Sequence, residues 1–310
     1  MNPTVPQTLL EFQSRFPDET ACEQYLAQWR WPGGFECPHC SGRGAWRLAR
    51  RNLYQCKDCR QQVSVTAGTA MHRSKLPLRL WFWAIFLVGR HKKGISALQL
   101  QSDLGVGSYR TAWLLLHKIR RCFGESEDYP LRGQVEVDET LIGAQLKGDP
   151  PGKDPGRKAI VVAAVEVRKK AMGGLRMAHV RDYTSPSLGG FVRRHVKKGA
   201  HLRTDGWVSY QHLEKQGYRH TEFVSSRHRR DVTLRWDMQA IHTVFGNLKT
   251  WLAGRFHGVS HKYLPAYLAE FTYRFNRRRS LPDLFGWVLR RLVTRPATTL
   301  GGLMAVEASA

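Results

Sequence analysis

Two cysteine pairs constrain this chain more than any other feature. In "FECPHCSGRGAWRLARRNLYQCKDCRQQVSVTAGT", Cys37 with Cys40 and Cys56 with Cys59 each have the CxxC spacing, with fifteen residues between the pairs. Two such knuckles bring together four soft thiolates, a donor set suited to tetrahedral Zn²⁺. All four coordination positions are then filled, so the metal is structural rather than catalytic. A redox dithiol accounts for one CxxC but not for two. Phe35, Trp46, Leu53, Tyr54 and Val63 flank the knuckles as apolar strand residues, and the whole reads as a zinc ribbon. Cys22 and Cys122 fall in helical patterns without partners and read as packing residues. This cysteine usage fits a reducing cytoplasm better than a disulfide scaffold.

Charge points to the partner. The 310 residues hold 49 Lys and Arg against 25 Asp and Glu, a formal charge of +24. The basic residues are spread along the chain, with runs such as "RHVKK", "SRHRR" and "RFNRRR". Spread charge of one sign implies a long polyanion, and nucleic acid is the expected partner. The start "MNPTVPQTLLEFQ" lacks a charged segment followed by an apolar run, so no secretory signal is expected. The most apolar stretch, "LWFWAIFLVG", is ten residues long. A membrane span needs roughly 20, so this segment reads as a buried helix and no membrane association is expected. A cytoplasmic, nucleoid-associated protein follows.

Four regions are expected. Residues 1–70 hold a short helix, "DETACEQYLAQWR" with Asp18 as N-cap, and then the zinc ribbon. Residues 71–127 are helical, and "KGISALQLQSDLGVGSYRTAWLLLHKIRRCF" has the pattern of a helix-turn-helix. Ile95, Leu98 and Leu104 suit its first helix, "GVGS" its turn, and Ala112, Leu115, Leu116 and Ile119 its second. Ser108 can cap the second helix, leaving Tyr109, Arg110 and Thr111 at its start, where contacts to DNA are made in such motifs. A plain helical hairpin fits the same pattern. Residues 128–290 alternate strands and helices: "GQVEVDETLIG", "KAIVVAAVEVR" and "LRMAHVRDY" read as strands, "LGGFVRRHV" as a helix, and "HLRTDGW" as a strand. "SYQHLEKQG" then reads as a helix, "TEFV" as a short strand, and the chain from Met238 as helical. That order is the order of an RNase H-like α/β domain. Residues 291–310 form a tail without a readable pattern.

Two aspartates stand out in the α/β region. In "QVEVDETLIG", alternation puts Val135 and Val137 on one face and Glu136 and Asp138 on the other. In "HLRTDGWVSY", Asp205 comes at a strand end before Gly206. Two carboxylates on adjacent strands can hold Mg²⁺ through oxygen, leaving positions for water and phosphate. Either aspartate alone would more often be a turn or capping residue, and Glu136 and Glu139 are rivals to Asp138 if the register is misjudged. A third ligand belongs on a later helix, yet "AIHTVFGNLKTWL" has no carboxylate. His242 and Lys249 are seven residues apart and share a helical face to within ~20°. Asn247 lies roughly 140° from His242 and points elsewhere. With Lys249 turned to a DNA phosphate, His242 is the residue beside the metal; imidazole can ligate a divalent cation, although it suits softer ions than Mg²⁺. The alternative is a packed helix histidine and a site of two carboxylates.

These segments resemble bacterial insertion-sequence transposases of the DDE type, in the zinc-ribbon subgroup with an ISXO2-like catalytic domain. The resemblance covers most of the chain. It rests on "FPDETACEQYLAQWRWPGGFECPHC", "VEVDETLIG", "LRTDGWVSY" and, most specifically, "LAGRFHGVSHKYLPAYLAEFTYRFNRR". It implies that Asp138 and Asp205 are the first two catalytic aspartates. The family's third position, seven before its lysine, is usually glutamate and here is His242. An active Asp-Asp-His set and a decayed copy both fit, and the intact remainder favours activity. Glu270 is a fallback carboxylate on a later helix, expected to pair with nearby arginines. The implied chemistry is cleavage at insertion-sequence terminal repeats and joining of the freed 3′ ends to target DNA, with catalytic Mg²⁺ or Mn²⁺ held by Asp138, Asp205 and His242 and with Lys249 on phosphate. A homo-oligomer on DNA is implied too. The competing readings are a zinc-ribbon, helix-turn-helix regulator without catalysis and an RNase H-like nuclease that cuts without joining.

Overall fold

The computed structural model describes residues 4–124, 129–143, 158–169, 171–223, 238–278 and 284–297. The chain divides into two compact units, one of Met1–Cys122 with Arg279–Leu303 and one centred on Phe123–Arg278. The first unit opens with α1 (Leu9–Arg15) and α2 (Glu19–Arg30). The side chain of Asp18 accepts from the Ala21 N–H at 2.8 Å, which is the expected cap of α2. The ribbon follows as an antiparallel sheet of β1 (Ala45–Leu48), β2 (Leu53–Cys56) and β3 (Gln62–Ser64) in that order. It is tied to α2 by polar contacts. Arg47 meets the buried Glu23 at 2.5 Å, and Arg30 donates to the Ser64 and Val65 carbonyls.

Next come α3 (Leu78–Arg90), α4 (Ala97–Leu104) and α5 (Tyr109–Arg121). The apolar run falls in α3, whose Trp81, Phe82, Ala84, Ile85, Phe86 and Val88 are all buried. One partner of this helix is distant in sequence: a returning helix, Leu284–Thr294, brings Phe285 within 5.5 Å of the Phe82 ring and 5.8 Å of the Phe12 ring. That helix starts inside the stretch expected to close the catalytic region at 290. It packs with the N-terminal helices because its apolar face meets theirs. Among the described residues, no helix is long and apolar enough to cross a membrane.

The second unit is built on β4 (Gln134–Ile142), β5 (Ala159–Arg168) and β6 (Ala171–Val180), an antiparallel meander. After α6 (Ser185–His195), β7 (His201–Thr204) and β8 (Arg219–Glu222) add in parallel to the free edge of β4, giving the order β6-β5-β4-β7-β8. Val135, Val137, Val162 and Ala164 pack toward Leu188, Phe191 and Val192 of α6. The opposite face is covered by α7 (Gln239–Phe256) and α8 (Leu264–Asn276). The segment "SYQHLEKQG" departs from expectation. It forms two 3-10 turns, Val208–Tyr210 and Glu214–Gln216, rather than an α-helix. Tyr210 and Leu213, three residues apart, both enter the core, a spacing that a threefold turn satisfies.

Placement of α7 depends on one buried carboxylate. Met238 precedes the helix in the left-handed region and supplies no side-chain cap. Instead Glu136 of β4 accepts the Ile241 N–H at 2.9 Å, with its other oxygen 3.6 Å from Arg203 of β7. A negative group here satisfies an orphan donor and complements the positive end of the helix. Glu136→Ala should cost about 3 kcal/mol, since it takes this carboxylate from the mostly covered Arg203 and leaves the helix without its cap. Denaturant unfolding checks this, and a loss below about 0.5 kcal/mol, the range of an ordinary surface substitution, would refute the role.

Candidate active site

β4 and β7 pair for three positions, ending with Glu136 beside Arg203. Continuing that register by two residues sets Asp205 beside Asp138, whose carboxylate faces His242 of α7. Asp205 sits where the strand ends: it accepts the Trp207 N–H at 3.1 Å, and Gly206 takes φ 79° to turn the chain away. An L side chain at that φ would be strained, which is why glycine follows the aspartate. Oxygens of Asp138, Glu139 and Asp205 all lie within 4.8 Å of one another. Asp138 and Glu139 are more than nine-tenths buried. Glu139 accepts from the Tyr210 hydroxyl at 2.9 Å. Burial, reinforced by the charge of Glu139, pushes that hydroxyl well above its ordinary range, so it stays a donor. Three carboxylates so close repel one another, and a hard divalent cation bound through oxygen offsets the repulsion.

The sequence picked Asp138 and Asp205, and the structure brings them together. It places His242 at the rim of the cluster, with Nδ1 3.9 Å from Asp138 Oδ2 and the side chain largely exposed. Glu139 joins the cluster from the other side of β4. Glu136, its fellow rival in the sequence, is engaged with α7 and Arg203 instead. Glu270 is buried and pairs with Arg274 at 2.8 Å. Lys249 is exposed on α7 and lines a groove of about 1170 Å³ with Lys158, Lys262, His257, His261 and the end of β4. Among the described residues, no acidic side chain lines that groove. Two residues of β4 separate Asp138 from Leu141, so the cationic groove starts close to the carboxylates.

The ribbon brings its cysteines into one cluster. Cys37 Sγ is 3.6 Å from Cys59 Sγ, Cys40 Sγ is 3.6 Å from Cys56 Sγ, and all four lie within 4.8 Å of one another. A tetrahedral Zn²⁺ with Zn–S near 2.3 Å requires sulfur–sulfur separations of about 3.8 Å, so the thiols fit the ion. Cys22 and Cys122 lie outside the cluster, buried, and burial pushes both thiols up to about 12.

Residues 130–276 match the ISXO2-like transposase domain, and residues 17–62 match the transposase zinc-ribbon domain. The chain belongs to this transposase family. It is 26% identical over 275 residues to an uncharacterized protein in transposable element ISH50 of Halobacterium salinarum, covering 84% of this chain and 91% of the relative. The family assigns DNA processing to the transposase and DNA as its partner, and its ribbon supports a structural zinc.

In the transposase, α4 and α5 are two helices joined by a short turn, an outline that a helix-turn-helix and a plain helical hairpin share. Gly105 ends α4 in the left-handed region, and the Ser108 side chain accepts the Thr111 N–H at 3.1 Å. Tyr109 and Arg110 are exposed at the start of α5, while the Thr111 hydroxyl is 2.9 Å from that of Ser108. Leu98, expected to pack, is two-thirds exposed, and Leu100 takes the buried place. Ile95 is buried but precedes the helix, where Arg120 donates to its carbonyl. The cysteine geometry makes a stoichiometric claim: the purified transposase should carry one Zn²⁺ per chain by elemental analysis, and Cys56→Ser should lose it. Zinc-free protein that keeps the ribbon resistant to proteolysis would contradict a structural metal.

Proposed function

We propose that the transposase cuts DNA at the ends of its element and joins the freed 3′ ends to target DNA, on an RNase H-like domain. The observation that carries this reading is the meeting of Asp138 and Asp205 at the open end of the β4–β7 pair, beside a cationic groove. The sheet supports the RNase H-like assignment: an antiparallel meander extended by two parallel strands, with helices on both faces. Asp138 and Asp205 hold Mg²⁺ or Mn²⁺, with His242 as a further donor at the rim. The bound cation supplies activation of a water or a DNA 3′-hydroxyl and stabilises the leaving oxygen. Lys249 positions phosphate as a point charge. The ribbon, Tyr109, Arg110 and Thr111 add DNA contacts outside the catalytic region. Two ends must be handled together, so the protein works as a homo-oligomer on DNA.

The test uses DNA carrying the sequences that flank the gene, with Mn²⁺ or Mg²⁺ and zinc-loaded protein. Asp138→Asn should lower strand transfer by more than about 100-fold while leaving DNA binding intact in a gel-shift assay. Unchanged strand transfer would sink the reading. Cleavage without joined products from the native protein would point to a nuclease instead.

His242 has its own test in the same assay. His242→Ala should reduce product while His242→Glu retains it, if this position donates to the cation. Product gained only in His242→Glu marks the native residue as a lesion in a decayed copy.

A further inference from the structure

The helix that crosses the site, α7, carries no carboxylate, and the residue it brings to Asp138 is His242. We propose that Glu139 supplies the missing carboxylate from β4 itself, and that Tyr210 is the positioning residue that aims it. This rests on reading Asp138 and Asp205 as the cation-holding pair.

Strand alternation sends Glu139 to the face opposite Asp138. Beneath a fully paired strand, that face is apolar: Val135 and Val137 lie in the same row, packed toward α6. A carboxylate there would be sealed among hydrocarbon at high cost. The pairing, however, stops. β7 ends at Thr204 and the chain turns at Gly206, so among the described residues Glu139 is paired only on its β5 side, with Val162. Through that open edge its carboxylate comes within 4.8 Å of oxygens from both Asp138 and Asp205 while remaining nine-tenths buried.

Tyr210 fixes this arrangement. Its ring is fully buried in the core below the site, and its hydroxyl donates to Oε2 of Glu139 at 2.9 Å. That bond fixes the carboxylate within reach of the two aspartates. The spacing of Tyr210 from Asp205 is local: the 3-10 turn that follows "TDGW" delivers the ring under the end of β4. One short segment therefore contributes a ligand and the support of another. Carboxylates set this close repel one another, and a cation held between them offsets that repulsion, so the placement of Glu139 suits a ligand better than a packing residue. Three hard oxygen donors also suit Mg²⁺ or Mn²⁺ better than two oxygens and an imidazole. His242, exposed at the rim, then adds to a complete acidic set instead of completing it.

The test is Mn²⁺ binding to the zinc-loaded full chain, followed by electron paramagnetic resonance and calorimetry, for native protein, Glu139→Gln, Tyr210→Phe and Asp138→Asn. Glu139→Gln should weaken Mn²⁺ binding by about ten-fold or more, and Tyr210→Phe by about ten-fold. Without added Mn²⁺, Glu139→Gln should melt at or above the native temperature, because it removes like-charge repulsion; a purely structural glutamate predicts a lower melting temperature. Native-like Mn²⁺ affinity in both variants, with binding lost in Asp138→Asn, overturns the proposal and leaves the metal site of the proposed function standing. Binding retained in Asp138→Asn as well brings down both. Should Glu139→Gln fail to fold, Tyr210→Phe decides alone, since it removes one oxygen and keeps the ring, and undiminished Mn²⁺ affinity in it overturns the proposal.

Discussion

The catalytic unit is organised by a parallel pairing that stops early. Three ladder positions join β4 to β7, enough to fix register and too few to cover the second half of β4. Register places Asp205 beside Asp138. Among the described residues the early stop leaves the β7 side of Asp138 and Glu139 without a paired strand, and carboxylates from both faces of β4 converge there. A longer β7 would have buried Glu139 under α6; a shorter one would have lost the pairing that aligns the two aspartates.

The helix across the opening is held by the same strand. Glu136 caps α7 from within the sheet and pairs with Arg203 of β7, so strand pairing and helix placement share one buried carboxylate. "VEVDE" thus carries three acidic residues in one fold-defining segment. Glu136 holds the helix, while Asp138 and Glu139 face the opening from opposite sides of the strand. A buried charge pair of this kind adds little net stability but is costly to break, so it fixes one arrangement of helix on sheet. The outcome is that His242 stands at Asp138 and Lys249 stands further along, at the cationic groove.

Much of this was legible because the signals are local. The four cysteines could be assigned to one site from spacing, since each knuckle is a tight turn and four thiolates have few other uses. Alternation in "QVEVDETLIG" gave the faces of Val135, Val137 and Asp138 correctly, because those positions lie on a regular strand. The caps at Asp18 and Ser108 followed from side-chain chemistry within three residues. The segment after Asp205 forms 3-10 turns where the pattern predicts an α-helix, because its apolar residues, Tyr210 and Leu213, fit helical and threefold spacing alike. The packing of Phe285 against Phe82 and Phe12 could not be read at all, as nothing local marks which distant face an amphipathic helix will choose.

The sequence by itself determined the zinc ribbon, the strands that carry Asp138 and Asp205, and the shared face of His242 and Lys249. Each follows from a period or a spacing that the backbone imposes over a few residues. Only the tertiary structure decided what each glutamate of "VEVDE" does. Alternation assigns a side chain to a face, but whether that face is core, helix cap or opening depends on where the neighbouring strand ends. β7 ends at Thr204 because Gly206 turns the chain toward the buried Tyr210, and that turn puts the Glu139 carboxylate beside the two aspartates.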